Sequence, residues 1–549
     1  MKRCKRTIAL MLGLLMCLAL IAACGGTTAP DPGISQPTGQ PTQPPSVPTN
    51  PGLASPAPTD PSVRFAEHID LIQTNDSSSV INPFSPAANT GPTLWKVGLV
   101  LDRLIRWDGD AGAFVPSLAS SWTTTDFQTF SFTLRDDVYF HNGDHFTAQD
   151  VVNTIEHAQE VGAGSPGGAH WTAVQSARAI SPTQLEIVLN RVFIDFYFEL
   201  AAPSAGIINL RAITEDSDRG YWIGTGAFIV EDYVSGDAAR FVRNDNYWDE
   251  SVNVVTQRLT IRFVPELSVR TVRMQTGESQ ISFGTIPEDM HIFEADPDNY
   301  DVFGFMFNMP TMFSFNMNDP LMADPNLRMA ILYAANKEDI TYVAAGEWAM
   351  AVNDSGTLWG SLMPFRNNDI PPILQDLDKS REYLALSSYN GEEIEIAAAN
   401  VSNVRSAQVL QQQLIAVGIR SRVVEYDTPG INRHMLNPDG GSQIVMLAVQ
   451  FTLSPSSYRN IFYPGGSQNR MHYNNPIITQ MLDEVGTMFD ERAREAHYLR
   501  MQEIIAEDPP YGSVYHRIMN VVAVRGLGGI KLSSDNRWHD FREIYLIED

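Results

Sequence analysis

The stretch FTLRDDVYFHNGDHFTAQDV, residues 132–151, decides the local fold around it. Residues 130–139 alternate apolar and polar side chains, and this alternation predicts a β-strand. The Asn-Gly pair at 142–143 is a strong signal for a tight turn. Thr147 and Asp150 have the spacing of a capping box, which predicts the start of a helix. The stretch therefore predicts a strand, a turn and a helix in succession.

The same stretch contains a possible metal-ligand set, His141, Asp144 and His145. The strand, turn and helix account for these positions without a metal, and this structural interpretation is favoured. The sequence also lacks a Gly-x-Ser-x-Gly elbow, a phosphate-binding P-loop and a His-Glu-x-x-His helix. We therefore expect no metal, no cofactor and no catalytic activity.

Further patterns place helices along a mixed α/β chain. The Asp-Pro pair at 324–325 and the Asn-Pro pair at 475–476 each put a capping side chain before a proline, as at a helix N-terminus. Residues 490–507 continue as a long amphipathic helix. Residues 400–426 predict a helix that ends at Gly418 and is followed by a strand. This pattern predicts an α/β protein with more than one lobe.

The N-terminus predicts export. Residues 2–6 carry four positive side chains, and residues 8–23 form an apolar run that is shorter than the roughly 20 residues of a spanning helix. The run predicts a signal peptide at residues 1–23. The sequence Ile-Ala-Ala-Cys at 21–24 resembles a bacterial lipobox, in which Cys24 would be lipidated after cleavage. The alternative is an ordinary cleavage site with an incidental cysteine.

Residues 24–62 predict a tether between this anchor and the body. Eleven prolines fall between residues 30 and 61, with few large apolar side chains. Cys24 would be the single cysteine of the mature chain, so no disulfide and no thiol chemistry is expected. We expect localisation outside the cytoplasm, on the outer face of the cytoplasmic membrane.

The charge disfavours two classes of partner. The formal net charge is −26, and it becomes near −30 once the four positive residues of the signal peptide are removed. Nucleic acids and anionic lipid surfaces favour basic proteins, so neither is expected as a partner of the body. Solubility in an acidic or saline habitat is a simpler explanation of the acidity.

The order of motifs resembles the family 5 extracellular solute-binding proteins, which include oligopeptide-, dipeptide- and nickel-binding receptors of ABC importers. Residues 132–151 carry the most specific part of the resemblance. The other motifs that carry it are residues 104–108, 114–122, 224–228, 243–248, 315–316 and 324–340.

The resemblance implies a two-lobed α/β clamshell of the periplasmic-binding-protein type (type II, cluster C), with a two-strand hinge. Lobe one is expected at residues 62–262 plus 513–549, with an inserted subdomain near 95–200. Lobe two is expected at 263–512. The implied activity is capture of a small solute between the lobes and its delivery to the permease of an ABC importer, by a monomer.

The same resemblance implies candidate ligand contacts. Asn89 and Thr90 follow a loop that faces the cleft in relatives, and Tyr247 belongs to the 243–248 motif. Gln450 and Phe451 lie on a late loop where peptide-binding members carry an aspartate that pairs with the peptide ammonium. Phe451 stands at that place, and residues 440–475 contain no acid.

Loss of this aspartate weakens the case for free peptides, because a buried ammonium without a counter-charge is costly. Peptide-like solutes and oligosaccharides both stay open as ligands. Two other functions stay open as well, namely a ligand sensor for a membrane signalling protein and an extracellular hydrolase.

Overall fold

A computed structural model describes residues 51–548, apart from 61, 74–80, 87, 89, 110, 286, 359–362, 436 and 438–440. The predicted signal peptide, Cys24, most of the predicted tether and Asn89 lie outside the described residues. No described helix has the length and apolar character that a membrane-crossing helix needs.

The described residues alternate strands and helices along the chain. The strands are β1 (Arg64–Phe65), β2 (His68–Gln73), β3 (Ile105–Asp108), β4 (Ala113–Pro116), β5 (Ala119–Thr123), β6 (Thr129–Leu134), β7 (Val174–Ser181), β8 (Gln184–Leu189), β9 (Phe228–Val234), β10 (Ala238–Arg243), β11 (Arg258–Phe263), β12 (Ile281–Phe283), β13 (Tyr300–Phe315), β14 (Ala349–Ala351), β15 (Ile394–Ala399), β16 (Ser421–Tyr426), β17 (Ile444–Ala448), β18 (Tyr511–Val524), β19 (Leu527–Gly528) and β20 (Tyr545–Glu548). The helices are α1 (Gly91–Val100), α2 (Ala148–Val161), α3 (Pro166–Ala169), α4 (Phe196–Ala201), α5 (Leu210–Glu215), α6 (Leu267–Gln275), α7 (Met290–Glu294), α8 (Pro325–Ala334), α9 (Lys337–Ala345), α10 (Leu377–Leu386), α11 (Val401–Ala416), α12 (Thr428–Met435), α13 (Ser457–Phe462), α14 (Pro476–Val485) and α15 (Glu491–Glu507).

The fold is α/β with two lobes, and two long strands join the halves of its main sheet. The strand order is β16-β15-β17-β13-β18-β12-β2-β11-β10-β9, so β13 and β18 lie in the middle. These two strands pair antiparallel along most of their length, with register breaks between Met306 and Pro310 and between Thr311 and Met312. On one side of the breaks β18 pairs with β12, and on the other side β13 pairs with β17. The ladder of β13 and β18 therefore runs from one lobe into the other.

The strand pairing favours a lobe boundary later than residue 262. β12 pairs in parallel with β2 and antiparallel with the end of β18, inside the half-sheet of lobe one. Residues 263–299 thus belong with lobe one by their hydrogen bonds. By this pairing the chain first passes from lobe one to lobe two within β13, whereas the sequence predicts this passage between β11 and α6.

Lobe one also carries a separate four-stranded antiparallel sheet, in the order β5-β6-β8-β7, within the predicted inserted subdomain. The predicted strand at 130–139 is shorter, since β6 ends at Leu134, and Tyr139 forms only an isolated bridge with His145. Gly143 takes a φ of +86°, as the predicted turn requires. Helix α2 begins after Thr147, whose N–H donates to the Asp150 carboxylate at 2.8 Å. The capping box is confirmed.

The other predicted helix signals are confirmed as well. Asp324, Asn475 and Asp490 are the N-caps of α8, α14 and α15, and each accepts a backbone N–H of the first turn. Helix α11 buries one apolar face, and Gly418 follows it with a φ of +95°. The predicted strand begins slightly later, as β16.

Candidate ligand-binding cleft

A cavity of about 590 Å³ lies at the meeting point of the two lobes. Its walls come from α1, from β3 and from the C-terminal segment 531–543, all in lobe one, and Leu453 reaches it from lobe two. We call it the arginine cavity. Its charged and aromatic lining consists of Trp95, Arg103, Arg106, Trp107, Asp108, Lys531, Trp538, His539, Asp540, Phe541, Arg542 and Glu543.

A second cavity of about 280 Å³ adjoins the first. The two share Leu94, Pro203, Leu453 and Trp538 as walls. We call it the histidine cavity, and the two together the cleft. The loop 452–454 of lobe two lies against lobe-one residues here, so both lobes contribute to its lining.

Ion pairs neutralise most charges of the arginine cavity. Arg106 donates to Asp249 at 3.0 Å, and Lys531 lies 3.5 Å from Glu543. The Nε of Arg542 donates to Asp540 at 2.9 Å. Within the described part of the chain, these three cations each have a carboxylate partner.

Arg103 differs from its neighbours. No described carboxylate lies within ion-pair distance of it, and its buried Nε has no described hydrogen-bond partner. Burial and the adjacent charges of Arg542 and Arg106 lower the pKa of Arg103 to about 10, while Asp540 and Asp102 act in the opposite direction. Arg103 therefore remains a cation at neutral pH, in surroundings that disfavour its charge.

His539 is also buried in the wall of this cavity. Its ring stacks on Trp95, with 5.2 Å between centroids, and lies edge-on to Phe305. Burial lowers its pKa to about 3, so the imidazole is neutral at pH 7. The backbone N–H of Ser533 donates to Nδ1 at 3.0 Å, which leaves the ring proton on Nε2. That Nε2–H is buried without a described acceptor.

The histidine cavity contains a chain of polar side chains. His170 Nδ1 lies 2.6 Å from Glu199 Oε2, and His170 Nε2 lies 2.6 Å from Ser204 Oγ. With a neutral ring, Nδ1–H donates to the carboxylate and the Ser204 hydroxyl donates to Nε2. These hydrogen bonds join three segments of lobe one and hold in place the wall that faces loop 452–454.

The lobes also touch beside the cleft. Asp195 at the start of α4 lies 3.6 Å from Arg494 of α15, and Ser454 and Ser456 of the lobe-two loop lie beside it. Burial raises the pKa of Asp195, and Arg494 offsets only part of this effect. Next to this pair, Phe127 stacks on Phe489 with ring centroids 5.3 Å apart. Asp195 therefore forms an ion pair between lobe one and lobe two.

None of the four sequence-predicted contacts that the structure describes lines either cavity. Thr90 caps α1 by accepting the N–H of Thr93. The Tyr247 hydroxyl donates to Asp102 at 3.2 Å and accepts from Arg542 at 3.3 Å, so it lies directly behind the arginine cavity.

The two predicted contacts of the late loop lie close to the cleft without lining it. Gln450 Nε2 donates to the carbonyl of Phe451 at 2.9 Å. Phe451 is 0 % exposed and packs within the lobe-two core, where its ring neighbours Tyr458. Leu453, two residues further along, is the residue that reaches both cavities. Direct ligand contact by Thr90, Tyr247, Gln450 or Phe451 stays a prediction.

Sequence reasoning missed the residues that dominate the cavities. Arg103 and Arg106 lie within or beside the 104–108 motif, which was used only as a family landmark. His539 and Arg542 lie in the C-terminal segment, about 430 residues away along the chain. No group of three or more His, Cys, Asp or Glu in the described ranges is arranged to hold a metal ion.

Comparisons with known proteins agree with this architecture. Residues 113–470 match the model of the bacterial extracellular solute-binding proteins, family 5, middle region. The chain is 23 % identical over 488 residues to the nickel-binding periplasmic protein of Escherichia coli, covering 82 % of this chain and 90 % of that protein. It is 24 % identical over 405 residues to the dipeptide-binding protein of Escherichia coli, covering 66 % and 73 % respectively.

Solved structures share the fold. The ABC transporter substrate-binding protein CtaP of Listeria monocytogenes superposes with a TM-score of 0.78 at 21 % identity, covering 88 % of this chain and 100 % of that one. The periplasmic binding protein DppA of Helicobacter pylori, in complex with the peptide STSA, superposes with a TM-score of 0.73 at 21 % identity, covering 88 % and 99 %.

Proposed function

Because this chain belongs to the family 5 bacterial extracellular solute-binding proteins, and is a solute-binding receptor rather than an enzyme, we propose that it captures a small solute in the cleft and delivers it to an ABC importer. The observation that carries the proposal is the composition of the cleft. Its walls come mainly from lobe one, and loop 452–454 closes it from lobe two. A solute held there contacts both lobes and stabilises their closed arrangement.

The proposed solute is peptide-like or an oligosaccharide, without a free ammonium group as its main anchor. Relatives bind dipeptides, the peptide STSA or nickel, according to their names. In this chain the acids that line the cleft already have partners: Glu199 contacts His170, Asp540 pairs with Arg542, Glu543 pairs with Lys531, and Asp108 accepts the backbone N–H of Ala111. A ligand ammonium would compete with these partners for a counter-charge, and that competition disfavours free peptides.

We also propose that the protein is anchored by a lipid on Cys24 and that it acts as a monomer. The family acts outside the cytoplasm. The lipobox-like sequence and the proline-rich segment support an anchor with a tether, which would hold the receptor beside the permease.

Two measurements test the proposed function. Mass spectrometry of the solute released from natively purified protein should identify a bound small molecule. Calorimetric titration should then show binding of N-acetylated peptides or oligosaccharides, and weak or no binding of unmodified di- to pentapeptides. Micromolar or tighter binding of free peptides that is lost on N-acetylation would contradict the ligand class.

A pair of leucine variants tests the place of binding. Leu453→Ala removes the side chain that reaches both cavities from lobe two, so it should weaken binding of the released solute by about tenfold, which corresponds to about 1.4 kcal/mol. Leu386→Ala is the matched control, since Leu386 is 64 % exposed at the end of α10. Equal affinities of the two variants would place the ligand elsewhere.

A further inference from the structure

We propose that the arginine cavity is a carboxylate-binding subsite whose main partner is Arg103. The inference rests on the proposed function in one respect, because the carboxylate belongs to the captured solute. It goes further by assigning a charged group of that solute to named side chains of lobe one.

The first argument comes from unsatisfied hydrogen-bond donors. Three buried nitrogen atoms in the cavity wall have no described partner: Nε of Arg103, Nε of Arg106 and Nε2 of His539. The arginine atoms can only donate, and the bond from Ser533 makes His539 Nε2 a donor too. Each buried donor without an acceptor destabilises the ligand-free protein. A set made only of donors selects a ligand group made only of acceptors, and an oxyanion is such a group.

The second argument comes from charge. Arg106, Arg542 and Lys531 each face a carboxylate of the protein, whereas no described carboxylate pairs with Arg103. Arg103 is thus the one lining cation without a carboxylate within ion-pair distance among the described residues, although Asp108 lines the same cavity and Asp540 and Asp102 act on Arg103 from further away. A partly buried cation without an ion-pair partner is destabilised, and an anion that pairs with it offsets part of this cost.

The single guanidinium without an ion-pair partner distinguishes between kinds of anion. Such a guanidinium matches the single negative charge of a carboxylate, whereas a phosphate monoester carries about −1.5 to −2 at neutral pH. A guanidinium also binds a carboxylate through two parallel N–H···O bonds.

The remaining walls suit an apolar group next to the carboxylate. Trp95, Trp107, Trp538 and Phe541 line the same cavity, and Leu453 covers it from lobe two. A solute with a terminal carboxylate beside an apolar side chain fits this lining, as in an N-blocked peptide. The site therefore favours ligands with a free C-terminal carboxylate over ligands that are neutral there.

Paired probes test the subsite on the full mature chain. N-acetyl di- and tripeptides with apolar C-terminal residues are titrated as free acids and as C-terminal amides, and inorganic phosphate serves as the other anion. We expect wild-type protein to bind the acids at least tenfold more tightly than the amides. Arg103→Met should remove this difference, whereas Arg381→Met, in an exposed pair with Asp378 on α10, should retain it.

The melting temperature of the ligand-free protein gives a second readout that needs no solute. Removal of a partly buried cation that has no ion-pair partner should leave Arg103→Met at least as stable as wild type, while the ligand no longer stabilises the variant. A clear loss of stability in the ligand-free variant would show that Arg103 is already satisfied within the protein, and would overturn the inference.

The binding outcomes separate this inference from the proposed function. Equal affinity of wild type for acids and amides, or unchanged discrimination in Arg103→Met, overturns the carboxylate subsite and leaves the receptor function intact. Tighter binding of phosphate than of the acids also overturns it. If no peptide, saccharide or anion binds wild type, both proposals fail.

Discussion

Replacing His539 with glutamine should change how the stability of the protein depends on pH. In the folded protein, burial against Trp95 and Phe305 lowers the pKa of His539 to about 3. In the unfolded chain an imidazole titrates near 6.5. The unfolded state therefore binds a proton at a pH where the folded state does not, and acidification favours unfolding.

The sign and size of the effect follow from these two values. The contribution of neutral His539 is fully present above about pH 6.5 and is lost as the pH falls toward 3. Between pH 7.5 and pH 4 the unfolded state gains about 3 kcal/mol relative to the folded state from this one group, with a limiting slope of about 1.4 kcal/mol per pH unit. His539→Gln removes the group that takes up the proton. The variant also loses the packing of the imidazole ring, but the stability lost in this way does not depend on pH.

Urea unfolding followed by tryptophan fluorescence, repeated at several pH values, measures this difference. We expect the free energy of unfolding of wild type to fall by about 3 kcal/mol more than that of His539→Gln over this range. His145→Gln, in the exposed turn after β6, controls for removal of a histidine as such. A wild-type-minus-variant difference that stays constant with pH would refute the burial of a neutral imidazole at this position.

Two further predictions concern closure and anchoring. Asp195→Ala removes the counter-charge of Arg494, so we expect closure to lose about 2–3 kcal/mol. Small-angle scattering at saturating ligand should then show a larger radius of gyration than in wild type, and calorimetry should show an affinity lower by about 30- to 150-fold. Asp378→Ala, at an exposed ion pair, is the control. An unchanged radius and affinity in Asp195→Ala would show that Asp195 does not stabilise the closed state. Cys24→Ser should abolish lipidation and release the protein from membranes, as checked by fractionation and mass spectrometry of the N-terminus; normal processing and equal membrane retention would exclude lipidation at Cys24.

The sequence predicted the fold well where local signals decide the structure. Helix starts at Asp324, Asn475 and Asp490 depend on a capping side chain and its next few residues, so they can be read without tertiary information. The strand at 130–139 was predicted too long. Its alternation continues past Leu134, but a salt bridge between Arg135 and Asp137 accompanies the departure of the chain from the sheet.

The candidate site was less accessible to sequence reasoning. The late loop was located to within two residues, yet Phe451 lies in the lobe-two core and Leu453 reaches the cleft, because the chain after β17 is irregular there and gives no side-chain period to read. Arg103 and His539 become neighbours of one cavity only after β3 and the C-terminal segment pack together. A single sequence contains no signal for a contact between segments so far apart, nor for the absence of a counter-charge.

The breaks in the ladder of β13 and β18 bear on the timescale of solute exchange. Residues 307–309 have no register partner on β18, and Pro310 has no N–H to donate. Asn308, within this gap, donates its N–H to Ser534 beside the arginine cavity and accepts the N–H of Phe451 from the lobe-two loop. A rotation at this point moves both walls of the cleft and leaves the paired stretches on either side intact. Opening can therefore proceed in microseconds to milliseconds, as domain hinges do, without the slow step of global unfolding. The lifetime of the captured solute is then set by contacts within the cleft, and the stability of the sheet does not limit its release.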